Sequence, residues 1–123
     1  MSYMTDLKRA VGNGSAREGT ARHWSLTKSS VALLILTPFF LFTFGPMLGQ
    51  PHDVVLAYFA QPFPAIVSAL MIVVGFMHFK TGVQAVWEDY SHGSIREIGI
   101  VLTTCLSYGA AVVGVFAIAK IAL

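Results

Sequence analysis

Three long apolar stretches dominate the chain, and a polar segment precedes them. Ser29 to His52 is 24 residues without an Asp, Glu, Lys or Arg; Val54 to Phe79 is 26 such residues, and Ile98 to Ala119 is 22. A helix needs about 20 predominantly apolar residues to cross roughly 30 Å of hydrocarbon, so each stretch is long enough to span once. The pattern predicts an all-α membrane protein. A three-helix transmembrane domain over residues 29–123 follows an N-terminal arm over residues 1–28. The spans fall at about residues 30–48, 65–88 and 98–119.

Prolines refine these limits. Pro46 and Pro51 bracket the end of the first span, whose core is Val31 to Phe44. Pro38 lies inside that core and predicts a kink, tolerated in a membrane when neighbouring groups satisfy the freed carbonyl. Pro62 and Pro64 suit the first turn of the second helix, which then runs from Ala65 to Trp87 or Asp89. Ser91, His92, Gly93 and Ser94 read as a short polar turn, and the third helix stops near Lys120. Short connections predict antiparallel neighbours, with no repeat or low-complexity tract along the way.

Composition narrows the class. Charged residues make up 11% of the chain, against roughly 25% in an average soluble domain. Hydrophobic residues make up 55%, with a mean hydropathy of +0.69. A soluble fold this small buries only about two-thirds of the surface its chain exposes, too little to hide so much apolar area. A disordered chain and a nucleic-acid-binding module are excluded on the same grounds. The single cysteine, Cys105, can form no internal disulfide and matches no metal-ligand spacing.

The placement of charge predicts orientation. Asp6, Lys8, Arg9, Arg17, Glu18, Arg22 and Lys28 all precede the first span, and five of these seven are basic. The first connection, Leu48 to Gln61, has no Lys or Arg; the second has Arg96, and the C-terminus has Lys120. By the excess of basic residues on cytoplasmic segments, the N-terminus and second connection face the cytoplasm, and the first connection and C-terminus face the other side. The first apolar run exceeds the roughly 7–15 residues of a secretory signal, which predicts a signal anchor. Asp6 and Glu18 count against a mitochondrial transit peptide.

Ionisable residues inside a span are costly and usually functional. The second helix carries His78 and Lys80, then Glu88, Asp89 and Tyr90 at its cytoplasmic end. On a helical wheel Asp89 lies about 20° from His78 and about 16 Å along the axis, so the two share a face. Gly75, Gly82 and Ala85 fall within about 60° of His78, whereas Phe76, Val83 and Trp87 point away. Glycines one turn either side of an imidazole leave room for something flat and large. A porphyrin with the imidazole on its iron fits that description. Close packing of small residues against another helix, with His78 hydrogen-bonding a neighbour, is the alternative. A bis-histidine haem needs a second ligand, and His23, His52 and His92 all lie outside the spans. The second ligand is therefore expected from another chain.

Tyr90 at the membrane–water boundary is either an interface anchor or a phenol that donates a hydrogen bond to a quinone carbonyl. Asp89 beside it suits proton delivery from cytoplasmic water. Lys80, about 200° from His78 on the wheel, either snorkels to the headgroups or pairs with a haem propionate or an anionic lipid. Arg22, His23, Trp24 and Lys28 sit on the same side. They read as topology and belt residues, with Lys28 also able to approach a quinone or a propionate.

These residues resemble a family. His78-Phe-Lys-Thr-Gly82-Val-Gln84-Ala-Val-Trp-Glu-Asp89-Tyr90, continuing Ser-His92-Gly93, is similar to the signature of the hydrophobic membrane anchors of succinate dehydrogenase, H-x3-G-x-Q-x4-D-Y followed by x-H-G. Gly14-Ser-Ala-Arg-Glu-Gly-Thr with His23-Trp24 is similar to alphaproteobacterial versions. The resemblance implies that His78 is an axial ligand of haem b, shared with a second, larger membrane anchor. It implies that Tyr90 hydrogen-bonds ubiquinone, with Asp89 its neighbour at that site. It also implies partners: the second membrane anchor, an iron–sulfur subunit and a flavoprotein, with membrane lipid around a larger heteromeric helix bundle in the bacterial inner membrane. Many members carry an arginine where this chain has Lys28, which keeps the charge but loses the planar fork. A fumarate reductase anchor is the nearest variant. A cofactor-free structural or assembly protein of the membrane is the competing class.

Overall fold

The computed structural model describes residues 5–11 and 19–123. In hydrocarbon every backbone N–H and C=O must find a partner within the protein, and a helix is the local solution. The described residues accordingly form helices joined by short turns. α1 spans Asp6–Val11, α2 Gly19–Phe44, α3 His52–Phe59, α4 Pro62–Tyr90 and α5 Gly93–Ala122, with a single 3-10 turn over Gly45–Met47. Three helices are long and apolar enough to cross a membrane: Thr20–Met47, Pro62–Tyr90 and Gly93–Ala122.

All three exceed their apolar stretches, because polarity ends the hydrocarbon contact, not the helix. α2 begins at Gly19, so Arg22 and Lys28, read from sequence as part of the arm, stand on its first turns. α5 begins at Gly93, ahead of Ile98, and the turn before it shrinks to Ser91 and His92. Gly93 has φ +59°, a left-handed conformation open to glycine at little cost, and it lets the chain reverse within that short turn. α2 continues through Pro38. Pro62 opens α4, where its missing N–H is not needed.

The connection between the first two spans differs from expectation. It is not a plain loop over Leu48 to Gln61 but contains α3, eight residues long. Phe59 of α3 is buried and meets Phe44 at the end of α2, ring centroids 6.2 Å apart. Apolar Val54, Val55, Leu56, Tyr58 and Phe59 lie between two prolines, so a short helix can bury one side against the ends of the bundle. Hydropathy alone merges this segment with the second span.

α4 is the central helix and packs on both α2 and α5. The cross-contacts establish antiparallel order. Arg22 meets Glu88 and Ser29 meets His78 across α2 and α4. Trp87 meets Thr103, and Lys80 meets Tyr108, across α4 and α5. Two glycines of α5 allow that second interface to close. A Cβ on Gly99 would lie 2.6 Å from the Trp87 ring, and one on Gly114 would lie 2.9 Å from Ile72. The outward faces carry Leu34, Phe42, Leu106, Val112 and Phe116, all largely exposed. Apolar surface on this scale is what lipid or other membrane helices cover.

Candidate functional site

The α2–α4 interface brings polar groups together at membrane depth. His78 Nδ1 lies 3.0 Å from Ser29 Oγ, and Ser29 Oγ lies 2.9 Å from the Leu26 carbonyl oxygen. Among the described residues, Nε2 of His78 has no hydrogen-bond partner. The imidazole is half-buried, with Nδ1 anchored by Ser29. Nothing in the sequence pattern singles out Ser29. A serine at the start of an apolar span carries no periodic mark, and its meeting with His78 depends on the register of two helices.

The flanks of His78 are open. A Cβ placed on Gly75 or Gly82 would meet nothing within 4 Å. These glycines are therefore not spent on packing inside this chain, unlike Gly99 and Gly114. Gly75 also borders an apolar cavity of about 350 Å³ lined by Phe40, Met71, Ile72, Phe76 and Phe79. Phe76 is opposite His78 on the wheel, so this cavity lies on the far side of Gly75 and the imidazole does not line it. The donor set suits haem iron: an imidazole nitrogen flanked by two glycines with open space beside them.

A second hollow of about 350 Å³ lies between α2 and α4 and is lined by Ser25, Lys28, Ser29, Ala32, Met77, Lys80 and Thr81 among others. Lys28 and Lys80 thus border one hollow, whose other lining residues are mostly small or apolar. Lys80 has a partner as well, its Nζ lying 3.3 Å from the Tyr108 hydroxyl and 5.2 Å from the ring centroid. His23 sits six residues before Ser29, about 9 Å along the helix. His52 opens α3 and His92 precedes α5, so neither lies at the level of His78.

The C-terminal end of α4 divides its carboxylates by role. Glu88 accepts from Arg22, and also from Gln84 Nε2 at 3.0 Å. Asp89 and Tyr90 are exposed, and among the described residues neither side chain takes part in a hydrogen bond or ion pair. Lys28 is not joined to either by a hydrogen bond or ion pair among the described residues. The structure therefore places Asp89 and Tyr90 at a helix end with free polar atoms, and it places Lys28 in the hollow nearer His78.

Comparisons with known proteins agree along the whole length. The family described as succinate dehydrogenase/fumarate reductase transmembrane subunit matches residues 1–118. The succinate dehydrogenase hydrophobic membrane anchor subunit of Paracoccus denitrificans is 39% identical over 123 residues, covering 100% of this chain and 95% of that protein. No solved structure matches significantly. The Gly14 to Glu18 part of the motif resemblance lies outside the described residues. Three spanning helices in antiparallel order and a family match over nearly every residue lead to one conclusion: the chain belongs to the succinate dehydrogenase/fumarate reductase transmembrane subunits, as a membrane anchor.

Proposed function

We propose that this chain is an anchor subunit of succinate:ubiquinone oxidoreductase in the bacterial cytoplasmic membrane. Its N-terminus and the α4–α5 turn face the cytoplasm, where the flavoprotein and iron–sulfur subunits dock. A second, larger membrane anchor packs beside it. The chain holds half of a haem b site through His78 and part of the ubiquinone-reduction site through Asp89 and Tyr90, with Lys28 nearby. Succinate is oxidised elsewhere in the complex, since this chain carries no flavin or nucleotide motif and no cysteine cluster.

The observation that carries this reading is the contrast between the two pairs of glycines. Gly99 and Gly114 are filled by neighbours, whereas Gly75 and Gly82 frame His78 and meet nothing. Gly109 of α5 is open as well but has no imidazole beside it, so what supports the reading is the pairing of two open glycines with His78. Haem, when bound, supplies one-electron exchange at its iron. Toward it, His78 offers Nε2, and Gly75 and Gly82 keep the approach free of side chains.

At the quinone site the work is proton handling. Quinone reduction takes two electrons and two protons, and a hydroxyl donor at a carbonyl oxygen stabilises the charge that develops there. The Tyr90 phenol is such a donor, exposed at the boundary. Asp89 stands next to it, open to cytoplasmic water, and passes protons toward the same place.

Difference spectroscopy of the purified complex tests the reading. His78→Ala is expected to abolish the reduced-minus-oxidised haem b signal while the subunits still co-purify. A signal of wild-type size in that variant would remove His78 as ligand. The family also includes fumarate reductase anchors, and the ratio of succinate oxidation to fumarate reduction by the complex separates the two.

A further inference from the structure

We propose that Ser29 is a positioning residue for His78: its hydroxyl determines which imidazole nitrogen carries the proton and holds the ring at one angle. The inference rests on reading His78 as a haem ligand, and it concerns the group that prepares that ligand.

Ser29 Oγ carries one proton and lies 2.9 Å from the Leu26 carbonyl oxygen, which can only accept. With its proton donated there, Oγ meets His78 Nδ1, 3.0 Å away, as an acceptor. Nδ1 then carries the single N–H of the neutral ring, and Nε2 keeps its lone pair. That tautomer is the one able to bind a metal through Nε2. The reverse arrangement, with the hydroxyl donating to Nδ1, puts the proton on Nε2 and leaves neither nitrogen free. Ser30 Oγ also donates to Leu26, at 2.9 Å, but from the exposed side and without reaching His78. It is the built-in control.

The choice of a serine fits the depth. A carboxylate in this role would bring a charge into the span, which is costly. A hydroxyl that hands its proton to a backbone carbonyl orients the imidazole with no net charge. Groups hydrogen-bonded behind a metal-ligating histidine also raise its basicity, and removing one typically costs about 10- to 100-fold in metal affinity. Because Ser29 is on α2 and His78 on α4, the bond also ties ligand orientation to the docking of these two helices.

The test uses the whole complex, isolated with haem, and reads haem retention under dilution, haem midpoint potential and the low-spin haem signal in electron paramagnetic resonance. Ser29→Ala is expected to lower haem retention about 10- to 100-fold. Its midpoint potential should rise, since a less basic ligand stabilises the oxidised iron less. Ser29→Thr, which keeps the hydroxyl, should restore both properties, and Ser30→Ala should change neither. Wild-type retention and potential in Ser29→Ala would overturn the proposal, as would a Ser30→Ala variant that behaves like it, or a failure of Ser29→Thr to rescue. If Ser29→Ala does not assemble, Ser29→Cys, close in size but a poor hydrogen-bonding partner, gives the same reading. His78→Ala separates the two levels. Haem lost with His78→Ala but unchanged with Ser29→Ala refutes the role of Ser29 alone, whereas haem retained in His78→Ala refutes the ligand itself.

Discussion

The indole of Trp87 occupies the space where a side chain on Gly99 would begin, its Cδ2 atom 2.6 Å from that Cβ position. The indole N–H donates to Thr103 Oγ1 at 3.0 Å, and Thr103 donates in turn to the Gly99 carbonyl at 2.7 Å. One aromatic side chain of α4 is thus seated over a glycine and fastened one turn further along α5. The seat holds the α4–α5 turn together, and α4 carries His78 at one level and Asp89 and Tyr90 at another.

Gly99→Ala should therefore force the indole or the helix to move. Overpacking of this kind typically costs about 1–3 kcal/mol. A lowered thermal midpoint of the purified complex is the expected result. Trp87→Ala in the same chain should relieve the clash, so the double variant should lose less than the sum of the single ones. Strict additivity would show that the two residues do not share this contact.

Tyr90 is 83% exposed, so removing its hydroxyl should leave the chain's own stability within about 0.5 kcal/mol. Tyr90→Phe is expected to slow ubiquinone reduction about tenfold, the value of roughly one hydrogen bond to the reacting carbonyl. Electron transfer from succinate to an artificial dye that bypasses the quinone should be unaffected. Parallel assays with ubiquinone and dye make the comparison, and equal rates in both would end the quinone role.

Arg22 and Glu88 form an ion pair with side chains 48% and 29% exposed. Solvent screening at that exposure limits the pair to about 1 kcal/mol or less. Arg22→Ala should shift the thermal midpoint slightly, and less still at high salt. A loss of several kcal/mol, or a loss indifferent to salt, would mean that Arg22 serves some other contact in the complex.

Orientation can be read by cysteine labelling. With Cys105→Ser removing the exposed native thiol, Asp53→Cys on α3 should react with an impermeant maleimide in intact cells. Ser94→Cys, at the start of α5, should react only after the membrane is opened. The opposite pattern would invert the assignment made from basic residues.

Much of this architecture is legible in the chain. The spans are visible because hydrocarbon contact is a property of consecutive residues, and Pro62 marks the start of α4 directly. The starts of α2 and α5 are less visible. Residues 19–28 and 93–97 are largely polar yet helical, since backbone hydrogen bonding continues into the interface where hydropathy has already fallen. α3 is hidden for the opposite reason: its apolar residues run on into the next span. His78, Asp89 and Tyr90 stand out because ionisable and phenolic groups are scarce in so apolar a chain.

Three membrane-crossing helices, their order and the rare polar residues on the second of them can be read along the chain, because burial in lipid and helix periodicity are local matters. That Ser29 is the residue against His78 emerges from the packed helices alone. Their packing likewise separates Gly99 and Gly114, which neighbours fill, from Gly75 and Gly82, which stay open. The physical reason is register. Glycines look alike along a chain, and which of them are filled depends on how far each helix slides and turns against the next, which is settled by packing between residues distant in sequence.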